Sequence, residues 1–298
     1  MINEYKLKEQ ICEIGRRVYN KGFAAANDGN ITVRLSDREF LCTPTMVSKG
    51  FLKPDDICKV DAEGKQLAGK KRRTSEVLLH LAVYKHRPDV HAVVHAHPPT
   101  ATGFAVAGIP LTRAVLAEVV TTLGSIPIAE YGTPSTEELP EAVRKYIKAH
   151  DGLLLANHGA VTCGADVMSA YYKMETIEHF AKISLVARLL GGENLLSRGE
   201  VTRLQGLRGV YGTPAPAPLC DDPADATAGD QVLCQVLEAP ESSTGRLVPD
   251  MSSTLPSTLI RDPELRRGVL QASRDGEIRL TYRQLTDLIA DAVRHLRD

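Results

Sequence analysis

Two sequence textures meet at Tyr211-Gly212, and the break limits what this chain can fold into more than any other feature. Ahead of it, apolar residues recur by turns at helical and at strand spacing, the signature of an α/β domain. Beyond it, Thr213-Pro-Ala-Pro-Ala-Pro218 opens a stretch dominated by Ser, Thr, Asp, Ala and Pro through Ser257. Such a stretch reads as a polyproline-like spacer, and it is too long for an ordered loop inside a compact domain. The expected organisation is a domain over 1–212, a linker over 213–257 and a flexible extension over 258–298. In that extension Thr281 and Gln284 have capping-box spacing, and Leu280 with Leu285 can form a hydrophobic staple. Leu285, Leu288, Ile289, Ala292, Val293 and Leu296 then make one apolar face, which predicts an amphipathic helix near 281–297.

Within 1–212, Leu7, Ile11, Ile14 and Val18 predict a helix that Asn20-Lys-Gly22 ends. Ile31–Arg34 and Glu39–Thr43 read as strands joined at Ser36-Asp37, and Ile57–Val60 as another followed by a turn at Asp61–Gly64. Val77, Leu81 and Tyr84 mark the buried stripe of a helix with Glu76 in its first turn. Val167, Tyr171, Met174, Glu178, Ala181 and Leu185 mark a long helix running to Gly191-Gly192, its stripe facing the core with Glu178 at the boundary.

The segment His91-Ala-Val-Val-His-Ala-His97 reads as a strand ended by Pro98-Pro99. Histidines at i and i+2 on a strand face the same way and can grip one ion. One such pair is a weak signal, and by itself it reads by default as two structural histidines. His158 strengthens it, because it follows the apolar run Leu153–Ala156 and stands between Asn157 and Gly159 at a strand exit. Three imidazoles with an open fourth position suit a catalytic divalent metal, and a nearby carboxylate such as Glu76 can then move protons. His80, His86, His91, His150, His179 and His295 lack such a setting; His80, one helical turn after Glu76, is expected to face solvent.

Bulk properties exclude several classes. Apolar residues make up 43% and charged residues 24% of the 298, as in globular domains, and the net charge of −1 offers no basic excess for nucleic acid. No apolar run is long enough to cross a membrane, and Met1–Gln10 lacks the pattern of a signal peptide. Cys12, Cys42, Cys58, Cys163, Cys220 and Cys234 are scattered without metal or disulfide spacing, so free thiols in the cytoplasm are the expectation.

Asp28-Gly-Asn-Ile-Thr-Val-Arg34, Thr43-Pro-Thr45, Thr74-Ser-Glu76, Val94-His-Ala-His97, Asn157-His-Gly159 and Tyr211-Gly212 together resemble the class II aldolase/adducin family. Within it the chain looks most like the aldolases of L-fuculose 1-phosphate. The resemblance implies a three-layer α/β/α fold around a central, largely antiparallel sheet, and a homotetramer with sites at subunit interfaces. It implies one Zn²⁺ per subunit on His95, His97 and His158, with Glu76 shuttling a proton. The implied reaction cleaves a ketose 1-phosphate to dihydroxyacetone phosphate and an aldehyde, the metal stabilising the charge left as the bond breaks. Gly29-Asn30 offers a close backbone approach for the phosphate and Thr74-Ser75 a helix N-terminus, and the family correspondence adds Thr45.

The chain departs from that pattern in two places. Met46 stands where the aldolases have glycine, and Ala114–Val120 lacks the tyrosine that some of them bring from a neighbouring subunit. Glu118 is the titratable group there, a candidate for proton transfer, and Tyr211 remains as an acid for the aldehyde oxygen. The same scaffold serves a pentulose-5-phosphate 4-epimerase, a methylthioribulose-1-phosphate dehydratase, a decarboxylase of a phosphorylated oxo acid, or a non-catalytic adducin-like module. The terminal helix resembles peptides that dock enzymes on bacterial microcompartment shell proteins; self-docking or oligomerisation is its alternative use. No membrane partner is expected of it, since Asp287, Asp291 and Asp298 offset Arg283, Arg294 and Arg297.

Overall fold

A computed structural model describes residues 3–210; Tyr211, the linker and the terminal helix lie outside the described residues. The first helix, α1 (Glu4–Asn20), is capped by Asn3 and buries Ile11, Ile14 and Val18, three members of its predicted stripe. Strands β1 (Asn30–Arg34), β2 (Glu39–Cys42), β3 (Cys58–Asp61) and β4 (Gln66–Ala68) follow as consecutive antiparallel neighbours. Helix α2 (Val77–His86) leads to β5 (Ala92–Ala96), and α3 (Pro99–Ala107) starts at once, Pro99 occupying a first-turn position that needs no N–H. Then come α4 (Ala117–Thr122), β6 (Ile128–Ala129), α5 (Glu138–Arg144), β7 (Gly152–Leu155), β8 (Gly159–Gly164), α6 (Val167–Leu189) and α7 (Arg198–Gly206).

The described strands form one eight-stranded sheet in the order β4-β3-β2-β1-β5-β8-β7-β6, antiparallel throughout except for the β6–β7 pair. Strand β5 lies between β1 and β8, buried along its whole length. Its alternate residues serve two cores. Ala92, Val94 and Ala96 join the layer built on α1, α3 and α6, whereas Val93 joins the layer built on α2 and α5. This is the three-layer α/β/α architecture with a largely antiparallel sheet that the resemblance implied.

The long helix α6 buries Val167, Tyr171, Met174 and Ala181 as its spacing predicts, but Leu185 is exposed because the core ends before the helix does. Glu178, at the boundary, accepts hydrogen bonds from the amides of Thr100 and Ala101 and so caps α3. Among the described residues no helix is long and apolar enough to cross a membrane, and Cys12, Cys42, Cys58 and Cys163 are free buried thiols.

Candidate metal centre

His95 sits in β5, in register with Asn30 of β1 on one side and Val161 of β8 on the other. His97 follows two residues later, just beyond the strand end, and its backbone amide is held by the Phe23 carbonyl at 2.8 Å. His158 lies in the tight turn between β7 and β8, where Asn157 takes a left-handed conformation with φ of 53°. Gly159 completes the turn: a Cβ there would come within 2.6 Å of both the Ala96 carbonyl oxygen and the His97 ring. Thus the turn that presents His158 is pressed against His97, and only glycine lets it approach so closely.

The three rings converge. His95 Nε2 and His97 Nε2 are 3.2 Å apart, and one nitrogen from each histidine lies within 4.8 Å of the others. Two nitrogens bound to a tetrahedral zinc at ~2.05 Å would be about 3.3 Å apart, so the pair is already at ligand spacing. The side chains behind them set the tautomers. His95 donates Nδ1–H to the Ala160 carbonyl at 2.9 Å, which leaves its Nε2 lone pair turned into the site. His97 Nδ1 stands 3.4 Å from the Asp28 carboxylate, an orienting partner of the same kind. Burial, reinforced by the two neighbouring imidazoles, holds the His95 ring well below its ordinary pKa of 6.5, in the neutral form that a metal requires. Burial lowers His158 too, against the opposing charge of Glu76.

Glu76, placed directly before α2 rather than within its first turn, closes the group. Its carboxylate oxygens lie 3.4 Å from His158 Nε2 and 3.6 Å from His95 Nε2. Oε1 is buried without a hydrogen-bond donor, while Oε2 accepts from the Asn30 amide at 2.7 Å. A stranded carboxylate oxygen beside three converging imidazoles is what a cation would satisfy, and the donor set fits a divalent ion.

Behind Glu76 runs a buried chain that sequence reasoning missed. His80 is fully buried, not solvent-facing, because the strip of α2 carrying Glu76, His80 and Tyr84 at four-residue spacing lies over Asn30 and Thr32 of β1. The directions can be assigned. The Asn30 amide donates to Glu76, so its carbonyl accepts from His80 Nε2–H. His80 Nδ1 then accepts from the Thr32 hydroxyl at 2.8 Å, and Thr32 accepts from the Tyr84 hydroxyl at 2.8 Å. Every member is paired, and burial pulls the His80 imidazole down to about 3, so it stays neutral. The repeat that could have exposed this chain is Glu76-x₃-His80-x₃-Tyr84 set against Asn30-x-Thr32.

The remaining expected site residues fall around this centre. Gly29 has φ of 72°, and a Cβ on it would meet the His95 carbonyl oxygen at 2.8 Å, so this glycine serves the packing of the metal strand. Thr45 donates its amide to the Arg72 carbonyl, and Thr74 donates its amide to the Thr43 carbonyl. These bonds hold the Thr43–Thr45 strand exit beside the approach to α2, where Ser75 is exposed. Met46 is exposed with φ of 59°, the conformation that a glycine adopts more readily. Glu118 lies apart, exposed on α4, and lines a cavity of about 780 Å³ with Phe23, Tyr172 and Glu175.

Fold and site together define a metal-dependent enzyme built on an α/β/α scaffold, with a three-histidine site and one adjoining carboxylate. The chain belongs to the class II aldolase and adducin N-terminal domain family, whose model matches residues 9–185. It is 32% identical over 208 residues to 3-oxo-tetronate 4-phosphate decarboxylase of Escherichia coli K12, covering 68% of this chain and 96% of that protein. It is 33% identical over 183 residues to L-fuculose phosphate aldolase of Methanocaldococcus jannaschii, covering 61% of this chain and 98% of that one. The crystal structure of Escherichia coli YgbL superposes with a TM-score of 0.63 at 31% identity, covering 67% of this chain and 98% of YgbL.

Proposed function

We propose that this enzyme is a zinc-dependent decarboxylase of a phosphorylated 3-oxo sugar acid. The observation that carries the reading is the carboxylate facing the converging Nε2 atoms: Glu76, with one oxygen anchored by Asn30 and the other turned to the histidines, while Asp28 stands behind His97 at its Nδ1. A divalent ion on His95, His97 and His158 supplies a Lewis acid for negative charge developing on a carbonyl oxygen as a carbon–carbon bond breaks. Carbon dioxide departs without needing a proton, so one proton delivered to the carbon that it leaves completes the reaction. Glu76 is the donor. A retro-aldol cleavage must also deprotonate a hydroxyl, and neither the three histidines nor Glu76 lines the cavity that Glu118 borders.

The phosphate is received where the Gly29-Asn30 backbone meets the hydroxyls of Thr45, Thr74 and Ser75 at the N-terminal end of α2. Tyr211 supports a second reading, aldol cleavage of L-fuculose 1-phosphate or a related deoxy sugar phosphate, since it supplies an acid or base for the aldehyde oxygen. Decarboxylation of 3-oxo-tetronate 4-phosphate and cleavage of fuculose 1-phosphate leave the same fragment, dihydroxyacetone phosphate. In either case a homotetramer is proposed, with the extension beyond residue 212 serving to dock the enzyme on a microcompartment shell.

The test is release of dihydroxyacetone phosphate by the zinc-loaded full chain, followed with a coupled NADH-linked reductase. Chelator-sensitive release from 3-oxo-tetronate 4-phosphate with one equivalent of carbon dioxide is the expected result. Release from fuculose 1-phosphate with an aldehyde would transfer the assignment to the aldolase, and no release from either would overturn both.

A further inference from the structure

Lys49 is the most unusual residue outside the metal centre. It opens a short 3-10 turn, Lys49–Phe51, and is only 2% exposed, among the largest fully buried side chains of the described residues. Its backbone is locked from below, since a Cβ on Gly15 of α1 would come within 2.6 Å of the Lys49 carbonyl oxygen. Its ammonium donates to the Asn27 carbonyl at 2.8 Å and to the Val47 carbonyl at 2.9 Å. Among the described residues no carboxylate lies within ion-pair distance of it; Asp28 and Glu76 act on it only through space.

Those two carbonyls belong to two different loops. Asn27 precedes Asp28 and Gly29 in the loop between α1 and β1, and Val47 follows Thr45 and Met46 in the segment after β2. One buried cation therefore ties together the two segments assigned to the phosphate, and among the described residues no carboxylate contacts it. Burying an ammonium without a contacting counter-ion is unfavourable, and burial lowers the Lys49 pKa to about 8 against the opposing charges of Asp28 and Glu76. A phosphate seated on the two loops would add a negative charge to those that Asp28 and Glu76 exert through space.

We propose that Lys49 is the positioning residue of the phosphate site, holding the Asn27–Asn30 and Thr45–Val47 loops together and balancing the charge of the phosphate that they receive. The inference rests on the phosphate reading given above, and it is separable from it by experiment. Inorganic phosphate is titrated calorimetrically into the zinc-loaded full chain and into Lys49→Met, with zinc content measured on the same samples. Loss of a charged partner is expected to weaken phosphate by about 10- to 100-fold, with zinc still bound one per chain. For a phosphorylated substrate KM should rise by a similar factor while kcat changes little.

Equal phosphate affinity in both proteins, or loss of zinc together with phosphate, would overturn the role. A wild-type chain that binds no phosphate would overturn the phosphate reading itself, and this inference with it. Should Lys49→Met fail to fold, Lys49→Gln takes its place, keeping a donor for one carbonyl but no charge. Full phosphate affinity in that variant would refute the charge role.

Discussion

Replacing Asn30 by leucine tests the buried chain behind Glu76 most directly. Leucine matches asparagine in size, so little packing is lost, but neither hydrogen bond survives. Glu76 Oε2 loses a donor at 2.7 Å, and His80 Nε2–H loses its acceptor among the described residues. A hydrogen bond to an ionised group contributes about 1.5–3 kcal/mol, and a stranded buried donor costs about 1–3 kcal/mol. Because losses within one network overlap, the expected destabilisation is about 2–5 kcal/mol rather than the full sum. The assay is urea denaturation of the zinc-loaded protein, run for Asn30→Leu, His80→Phe and the double variant. If the chain is one network, the double variant should cost at least ~1 kcal/mol less than the two single variants added together. A loss below ~1 kcal/mol for Asn30→Leu, or strict additivity, would show that the hydrogen bonds do not couple as drawn.

Three other outcomes follow from the geometry. Burial lowers the His80 pKa to about 3, so between that value and pH 6.5 the unfolded chain carries a proton that the folded chain refuses. Stability should therefore fall on acidification through this window, by about 1.4 kcal/mol per pH unit from this group, and His80→Gln should remove that part of the slope; identical slopes in denaturation series from pH 6 to 4 would refute it. Gly159→Ala forces a Cβ to within 2.6 Å of His97 and the Ala96 carbonyl, so zinc affinity should drop by about tenfold or more in competition with a chromogenic chelator. His97→Ala removes a ligand and should leave less than one zinc per two chains after dialysis, by elemental analysis, while the melting cooperativity of the domain persists; full zinc occupancy would place the ion elsewhere.

Much of the fold was legible because local patterns and tertiary layers agree. The α1 stripe of Ile11, Ile14 and Val18, the β1–β2 pair and the Val77–Tyr84 helix all bury the residues that their spacing selects. Elements with weak periodicity went unread: β6 is two residues long, and α4 and α5 are single short helices without a clean apolar stripe. Leu185 has core spacing yet is exposed, because spacing says which side of a helix is apolar but not where the sheet beneath it stops.

At the site, the sequence by itself picked out the three histidines that the fold brings together. His95 and His97 are bound to share a direction by the two-residue period of a strand, and the Asn157-His158-Gly159 turn marks the third. Only the tertiary structure decided what stands behind them. Which carboxylate meets His97, which strand residues lie under His80, and which loops Lys49 joins all depend on register and layer packing between segments far apart in the chain. Asp28, His80 and Lys49 look like ordinary polar residues in the sequence because burial and partner identity, which give them their chemistry, are properties of the assembled sheet and its covering helices. A motif records spacing along one segment. The charge balance and hydrogen-bond directions of a site arise only when several segments meet.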